Sequence, residues 1–310
     1  MTDSNRGNVL VVFGEQNVQV RRTVADSLRH NGFRNTQDTD KFDDVRSAIE
    51  QDQVDVLICD ADLGGRDACD LVRRVRNHEI GSNPFLVTIV LTDDSTPSTI
   101  RRLIDSGTDD IVMKPVSVGG LMKRIDALTR SRKGFVVTTD YVGPDRRKGP
   151  RPGTQEIPVF KVPNALRFKA EGGIDMAAFQ RSVDAARCTV NEQKMERHAF
   201  QIDYLADRIV PYYEAGNRDT SPPKLVTRLL DVAKDLVRRM AGTEREHICE
   251  LGSSLIDVAT SISHSPMAPN MKDVRLLPEM GAAIKRAFSA DERNVAFAHD
   301  ISMSLENRTF

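Results

Sequence analysis

Four short apolar runs punctuate the first 130 residues: NVLVVF (8–13), VDVLIC (54–59), FLVTIVL (85–91) and DDIVM (109–113). A strand with one wet face alternates apolar and polar residues. These runs do not, so they read as central parallel strands covered on both faces. A weaker strand is expected near Phe33 to Gln37. Between the runs, 17–31, 41–51, 66–78, 96–106 and 117–131 carry helical periodicity, with Val20, Val24 and Leu28 recurring four apart and Leu121, Ile125 and Leu128 at four and three. Five such strand–helix units predict a doubly wound, five-stranded parallel α/β sheet.

The pattern breaks after Gly134. In DYVGPDRRKGPRPGTQEIPVFKVP, proline and glycine are dense, and the bases of 134–170 (among them Arg146, Arg147, Lys148, Arg151, Lys161 and Arg167) face only Asp140, Asp145 and Glu156. Such a composition predicts a basic, largely extended connector. Beyond residue 173 the periodicity is all-α. Met176, Phe179, Val183, Ala186 and Val190 step by three and four, and Ile202, Leu205, Ile209 and Tyr213 continue the stripe, with Pro211 expected to kink or end that helix. A second helix is expected from Ser221-Pro222, a third from the capping-box spacing of Thr243 and Glu246, a shorter one over Leu276–Phe288, and a last one after Ser289 and Glu292. The division expected is a first domain over 1–133, a connector over 134–173 and a helical bundle over 174–310.

With 39% apolar and 29% charged residues in 310, the chain reads as a soluble globular protein, and no run approaches the roughly 20 apolar residues of a membrane span. A cytosolic location is expected. Cys59, Cys69, Cys188 and Cys249 lack the spacing of a zinc site or disulfide framework. A net charge of −1 gives no global attraction to nucleic acid or membrane.

In an open parallel sheet the ligand site lies beyond the carboxyl ends of the strands. Those ends carry Phe13-Gly14-Glu15, Asp60, Thr92 and Lys114-Pro115. A carboxylate, a hydroxyl and an ammonium converging there suit a phosphoryl group, the carboxylate as acceptor and the other two binding its oxygens.

Over roughly residues 7–132 this resembles the receiver domain of bacterial two-component response regulators, the CheY-like member of the flavodoxin-like folds. The resemblance rests on VDVLICDADLGGRDACDLVRRVR, VLTDD and DDIVMKPVS. It implies Asp60 as phosphoacceptor, Thr92 as the switch threonine and Lys114 as the phosphate-binding lysine. Receivers end the first strand with an acidic pair that holds Mg²⁺ with the phosphoacceptor. Here those positions read Phe13 and Gly14, leaving Glu15, with Asp60, as the metal ligands, and Asp62 and Asp93 as neighbours able to contribute. Mg²⁺ binding is therefore expected to be weakened. With fewer carboxylates around it, Asp60 is expected to be held ionised by Lys114. Ile111 stands where receivers place the switch aromatic.

The expected function is that of an atypical response regulator, not an enzyme, taking its signal from a histidine kinase or phosphotransfer protein. Its helical module would act on a protein output partner, with a homodimer as the further partner and with neither membrane nor nucleic acid involved. The competing reading is a scaffold or adaptor whose pseudo-receiver is never phosphorylated. Two weaker candidates stand beside these. His247, in EREHICELGSS, invites comparison with phosphotransfer histidines, although Gly252 comes one residue late and equally suits close helix packing. The GPDRRKGPR segment could bind a phosphate-rich partner or simply be a solvated linker.

Overall fold

The computed structural model describes residues 5–51, 54–147, 149, 157–214 and 221–288. The chain divides into two compact units, Met1–Val190 and Asn191–Phe310. No described helix is long and apolar enough to cross a membrane.

The first unit contains the expected sheet. Its strands are β1 (Val11–Gly14), β2 (Thr36–Thr39), β3 (Val56–Asp60), β4 (Val87–Thr92) and β5 (Asp110–Met113), all parallel in the order β2-β1-β3-β4-β5. The helices between and after them are α1 (Val18–His30), α2 (Phe42–Glu50), α3 (Ala68–Arg76), α4 (Pro97–Asp105) and α5 (Val118–Arg130). Side-chain alternation along the strands splits the core. Phe13, Ile58 and Ile89 face α1 and α5, whereas Val12, Leu57 and Val90 face α2, α3 and α4. Asn17, Asp67, Thr96 and Ser117 cap α1, α3, α4 and α5 through their side-chain oxygens, which fixes where each strand-to-helix turn ends.

The edge strand β2 forms at 36–39, slightly later than the apolar residues suggested, because Phe33 is used as core filler under α1. A larger departure concerns the connector expected over 134–173, part of which is folded. Phe135–Val137 (β6) and Val142–Pro144 (β7) form an antiparallel hairpin, Phe135 bridges to Phe160, and Ala165–Ala170 is a short helix, α6. The reason is apolar content flanking the basic run: Phe135, Val137 and Val142 are buried with Phe85 and with Val183 and Val190 of α7 (Met176–Glu214). The first compact unit accordingly extends through the hairpin and α6 to Val190. Buried bases clamp the hairpin. Arg76 and Arg132 flank the Phe135 ring at 5.2 and 4.9 Å, and Arg146 donates to the carbonyls of Thr108 and Asp109.

The second unit is the expected all-α region, built on the later half of α7, α8 (Ser221–Met240), α9 (Cys249–His264) and α10 (Met271–Phe288). Ile202, Leu229, Leu236, Leu255 and Leu277 lie in one buried cluster. Helix α7 continues past Pro211 to Glu214: so near a helix end, proline disturbs little of the remaining ladder. Thr243 does not open α9 as a capping box. Its hydroxyl bonds back to the Met240 carbonyl, and a 3₁₀ turn over Glu246–Ile248 intervenes. The helix expected after Ser289 lies outside the described residues.

Candidate functional site

At the carboxyl edge of the sheet, β3 ends on Asp60 and β4 on Thr92, while Lys114 follows β5 and precedes a cis peptide bond to Pro115. Parallel pairing brings these ends together: Asp60 stands opposite Leu91, the Ala61 amide donates to the Leu91 carbonyl at 2.8 Å, and the Lys114 amide donates to the Thr92 carbonyl at 2.8 Å. The Lys114 ammonium donates to Asp60 Oδ2 at 2.5 Å and stands 2.8 Å from Glu15 Oε2. One cation is thus shared by two carboxylates.

Glu15 arrives there because β1 runs through Phe13 and Gly14. Register pairs Phe13 with Ile58 and Gly14 with Cys59, so Phe13 points into the α1–α5 core, fully buried, and Glu15 is the first residue past the strand. Glu15, named from the sequence beside Asp60, thus stands at the site, while Phe13 and Gly14 occupy the end of the strand itself. Glu15 is 1% exposed, and its other oxygen accepts from the Asn17 amide at 2.9 Å. Gly14 is a spatial requirement: a Cβ there would lie 2.8 Å from Leu63 Cδ2, 3.0 Å from Cys59 Sγ and 3.2 Å from Val45 Cγ2. An apolar wall stands beside the site.

Burial sets the electrostatics. Desolvation pushes the Asp60 carboxyl above its ordinary range, outweighing the bond and charge of Lys114, and Glu15 adds to the rise. The expected ion pair between Asp60 and Lys114 is present, and it opposes that rise. Lys114 loses solvation too, but its bonds to Asp60 and Glu15 outweigh that loss and raise it. Desolvation also drives the Cys59 thiol far up and Cys69 up to about 12, which keeps both neutral.

Thr92 is buried at the next strand end. Its hydroxyl accepts from the Asp94 amide at 3.1 Å, closing its own loop. Asp62 and Asp93 are exposed, and among the described residues no group of three His, Cys, Asp or Glu side chains is placed to hold a metal ion. Ile111 is a partly buried member of the α2–α4 core.

The remaining candidates resolve structurally. His247 lies in the turn before α9, its Nδ1 3.0 Å from the Glu244 carbonyl, and Gly252 lets α9 approach Val237, which a Cβ would meet at 2.6 Å. Arg147 bonds Asp145 and the Ile157 carbonyl, so it and Arg146 serve internal acceptors; residues 148 and 150–156 lie outside the described residues. His198, on α7, places its Nε2 2.7 Å from an Asp235 carboxylate oxygen on α8.

Residues 9–126 match the family model of the response regulator receiver domain. The virulence transcriptional regulatory protein PhoP of Salmonella choleraesuis is 31% identical over 130 residues, which is 41% of this chain and 54% of that protein. Chemotaxis protein CheY-3 of Vibrio cholerae is 22% identical over 121 residues, 39% of this chain and 92% of that one. Among solved structures, the orphan response regulator HP1043 of H. pylori is 23% identical over 39% of this chain and 97% of its own, with a TM-score of 0.34. The chain spans little more than half the length of the PhoP proteins it matches, 54 to 58%. Residues 9–126 are a response regulator receiver domain, and the match ends there.

Proposed function

We propose that the chain is an atypical response regulator in which Asp60 accepts a phosphoryl group and the helical unit carries the signal onward through protein contacts. The observation that carries this reading is the Lys114 ammonium held 2.5 Å from Asp60 at the strand ends of a receiver domain. A histidine kinase or phosphotransfer protein would supply the group, as is general for receivers. Asp60 Oδ would attack phosphorus as the bond to the donor's leaving atom breaks, and the electron pair would depart with that atom. Lys114 would follow the developing charge onto a phosphoryl oxygen, and the Thr92 hydroxyl would leave its loop to bind a second.

Receivers commonly use Mg²⁺ to offset that charge, but the residues present fit the ion poorly. Glu15 and Asp60 both direct an oxygen to Lys114, and position 14, which carries no side chain, is crowded at its Cβ by Leu63, Cys59 and Val45. Charge neutralisation falls to Lys114. The same features favour the second reading, a pseudo-receiver that serves as a docking module without being phosphorylated.

Intact mass after incubation with acetyl phosphate, with and without Mg²⁺ and beside Asp60→Asn, separates the two. One added phosphoryl group in the wild type alone supports the acceptor role, with acetate as the leaving group. No gain in any condition, with the fold verified by circular dichroism, would move the protein to the docking class.

A further inference from the structure

A second cleft in the first unit lies at the opposite end of α5, roughly 20 Å along a 13-residue helix from the Lys114 end. It has a volume of about 600 Å³ and is lined by the last turn of α5 and the residues after it, by the segment leading into α6, and by α6 with the start of α7. Its charge is one-sided. Arg130, Arg132, Lys133, Lys161 and Arg167 line it against a single carboxylate, Glu171.

Some of these bases are already committed. Arg132 bonds Asp109 at 2.7 Å, Arg167 bonds Glu171 at 2.9 Å and Arg130 stands 3.7 Å from Asp126. Lys133 and Lys161 make no ion pair among the described residues, although Lys133 feels Asp145, which is itself bonded to Arg147. The negative end of the α5 dipole accounts for a base at 130. It does not account for Lys161, which arrives from a separate segment. The other wall is apolar, made of Val162, Pro163 and a stacked pair, Phe168 and Phe179, with ring centres 4.9 Å apart and planes at 27°.

A concave site of this volume suits one small molecule, whereas a macromolecular partner would need a broad surface. Two exposed ammonium groups without an ion pair among the described residues call for an anion, and the aromatic wall calls for an apolar or planar body attached to it. We propose that this cleft binds a phosphorylated organic anion of nucleotide size, its phosphate on Lys133 and Lys161 and its ring against the Phe168–Phe179 wall. The proposal is independent of whether Asp60 is phosphorylated.

Calorimetric titration of the full chain with GMP and AMP, beside guanosine and inorganic phosphate, tests it. The expected result is saturable one-to-one binding of a nucleotide, strengthened at low salt and weakened about tenfold or more by the double variant Lys133→Glu/Lys161→Glu. Both lysines are exposed, so the variant should fold, which circular dichroism checks. Phe179→Leu should weaken nucleotide binding as well. Absence of saturable nucleotide binding, equal affinity in the double variant, or phosphate alone binding as tightly as the nucleotide would overturn the proposal. Loss of binding in Asp60→Asn, with the double variant unaffected, would place the phosphate at the strand-end site and overturn it too.

Discussion

Arg76 and Asp109 form an ion pair of 2.9 Å in which both side chains are 1% exposed. Arg76 donates in addition to the carbonyls of Pro84, Leu86 and Gly107 and to the Thr88 hydroxyl, and Arg132 reaches the same carboxylate. Asp109 therefore holds two buried guanidinium groups. Asp109→Asn is expected to cost about 3–5 kcal/mol, because it strands those charges away from water. Chemical denaturation gives the value, and a loss under about 1 kcal/mol would mean that the cluster does not anchor the first unit.

The two carboxylates give opposite pH signatures. Burial works against the Asp109 carboxylate, but Arg132 and Arg76 win and hold its pKa below the ordinary range. Its stabilisation is present above the unfolded carboxylate value and is lost as pH falls through the depressed one. Asp60 is raised, so its contribution is present below the unfolded value and is lost as pH rises through the folded one. Stability of the wild type relative to Asp60→Asn should thus decline with rising pH just above pH ~4, with a slope of at most about 1.4 kcal/mol per pH unit. Paired urea titrations across that window measure it, and a rising difference would reverse the assignment.

Much of this was legible in the sequence, for identifiable reasons. The β-branched runs fixed the strands because burial on both faces leaves no polar alternation, and the strand ends then located Asp60, Thr92 and Lys114. The exact end of β1 was not legible. Phe13 is apolar and Gly14 carries no side chain, so the run ends one residue early in the reading, although Glu15 was still the acid it offered to the site. Arg76 was invisible for another reason. A base on an amphipathic helix reads as solvated, and its acceptors lie 8 to 33 residues away in sequence. The hairpin was hidden by proline and glycine content, although Phe135, Val136 and Val137 formed an apolar triplet at its start. That triplet was the available signal.

The hairpin depends on backbone contact at Gly143. A Cβ there would lie 2.7 Å from the Gly107 Cα and 2.6 Å from the Tyr141 hydroxyl, which itself donates to the Pro144 carbonyl. Gly143→Ala should cost about 1–3 kcal/mol by forcing β7 away from the loop before β5. Limited trypsin digestion offers a local reading. Cleavage after Arg132, Lys133 or Arg146 should accelerate in the variant, and an unchanged pattern would mean that the hairpin tolerates the added methyl group.

Restoring an acid at the end of β1 should fail for a steric reason. Gly14→Asp brings its Cβ to 2.8 Å from Leu63 Cδ2, 3.0 Å from Cys59 Sγ and 3.2 Å from Val45 Cγ2, all on buried side chains. Overpacking together with an unpaired buried charge predicts a loss of about 2 kcal/mol or more. It also predicts no gain in Mg²⁺ affinity, because a carboxylate walled in by those side chains cannot reach the ion. Thermal unfolding with and without Mg²⁺ tests both parts, since an ion that binds the folded state raises the midpoint. A variant of wild-type stability whose midpoint rises with Mg²⁺ would show that only the missing carboxylate, and not the apolar wall, separates this site from a metal-binding receiver.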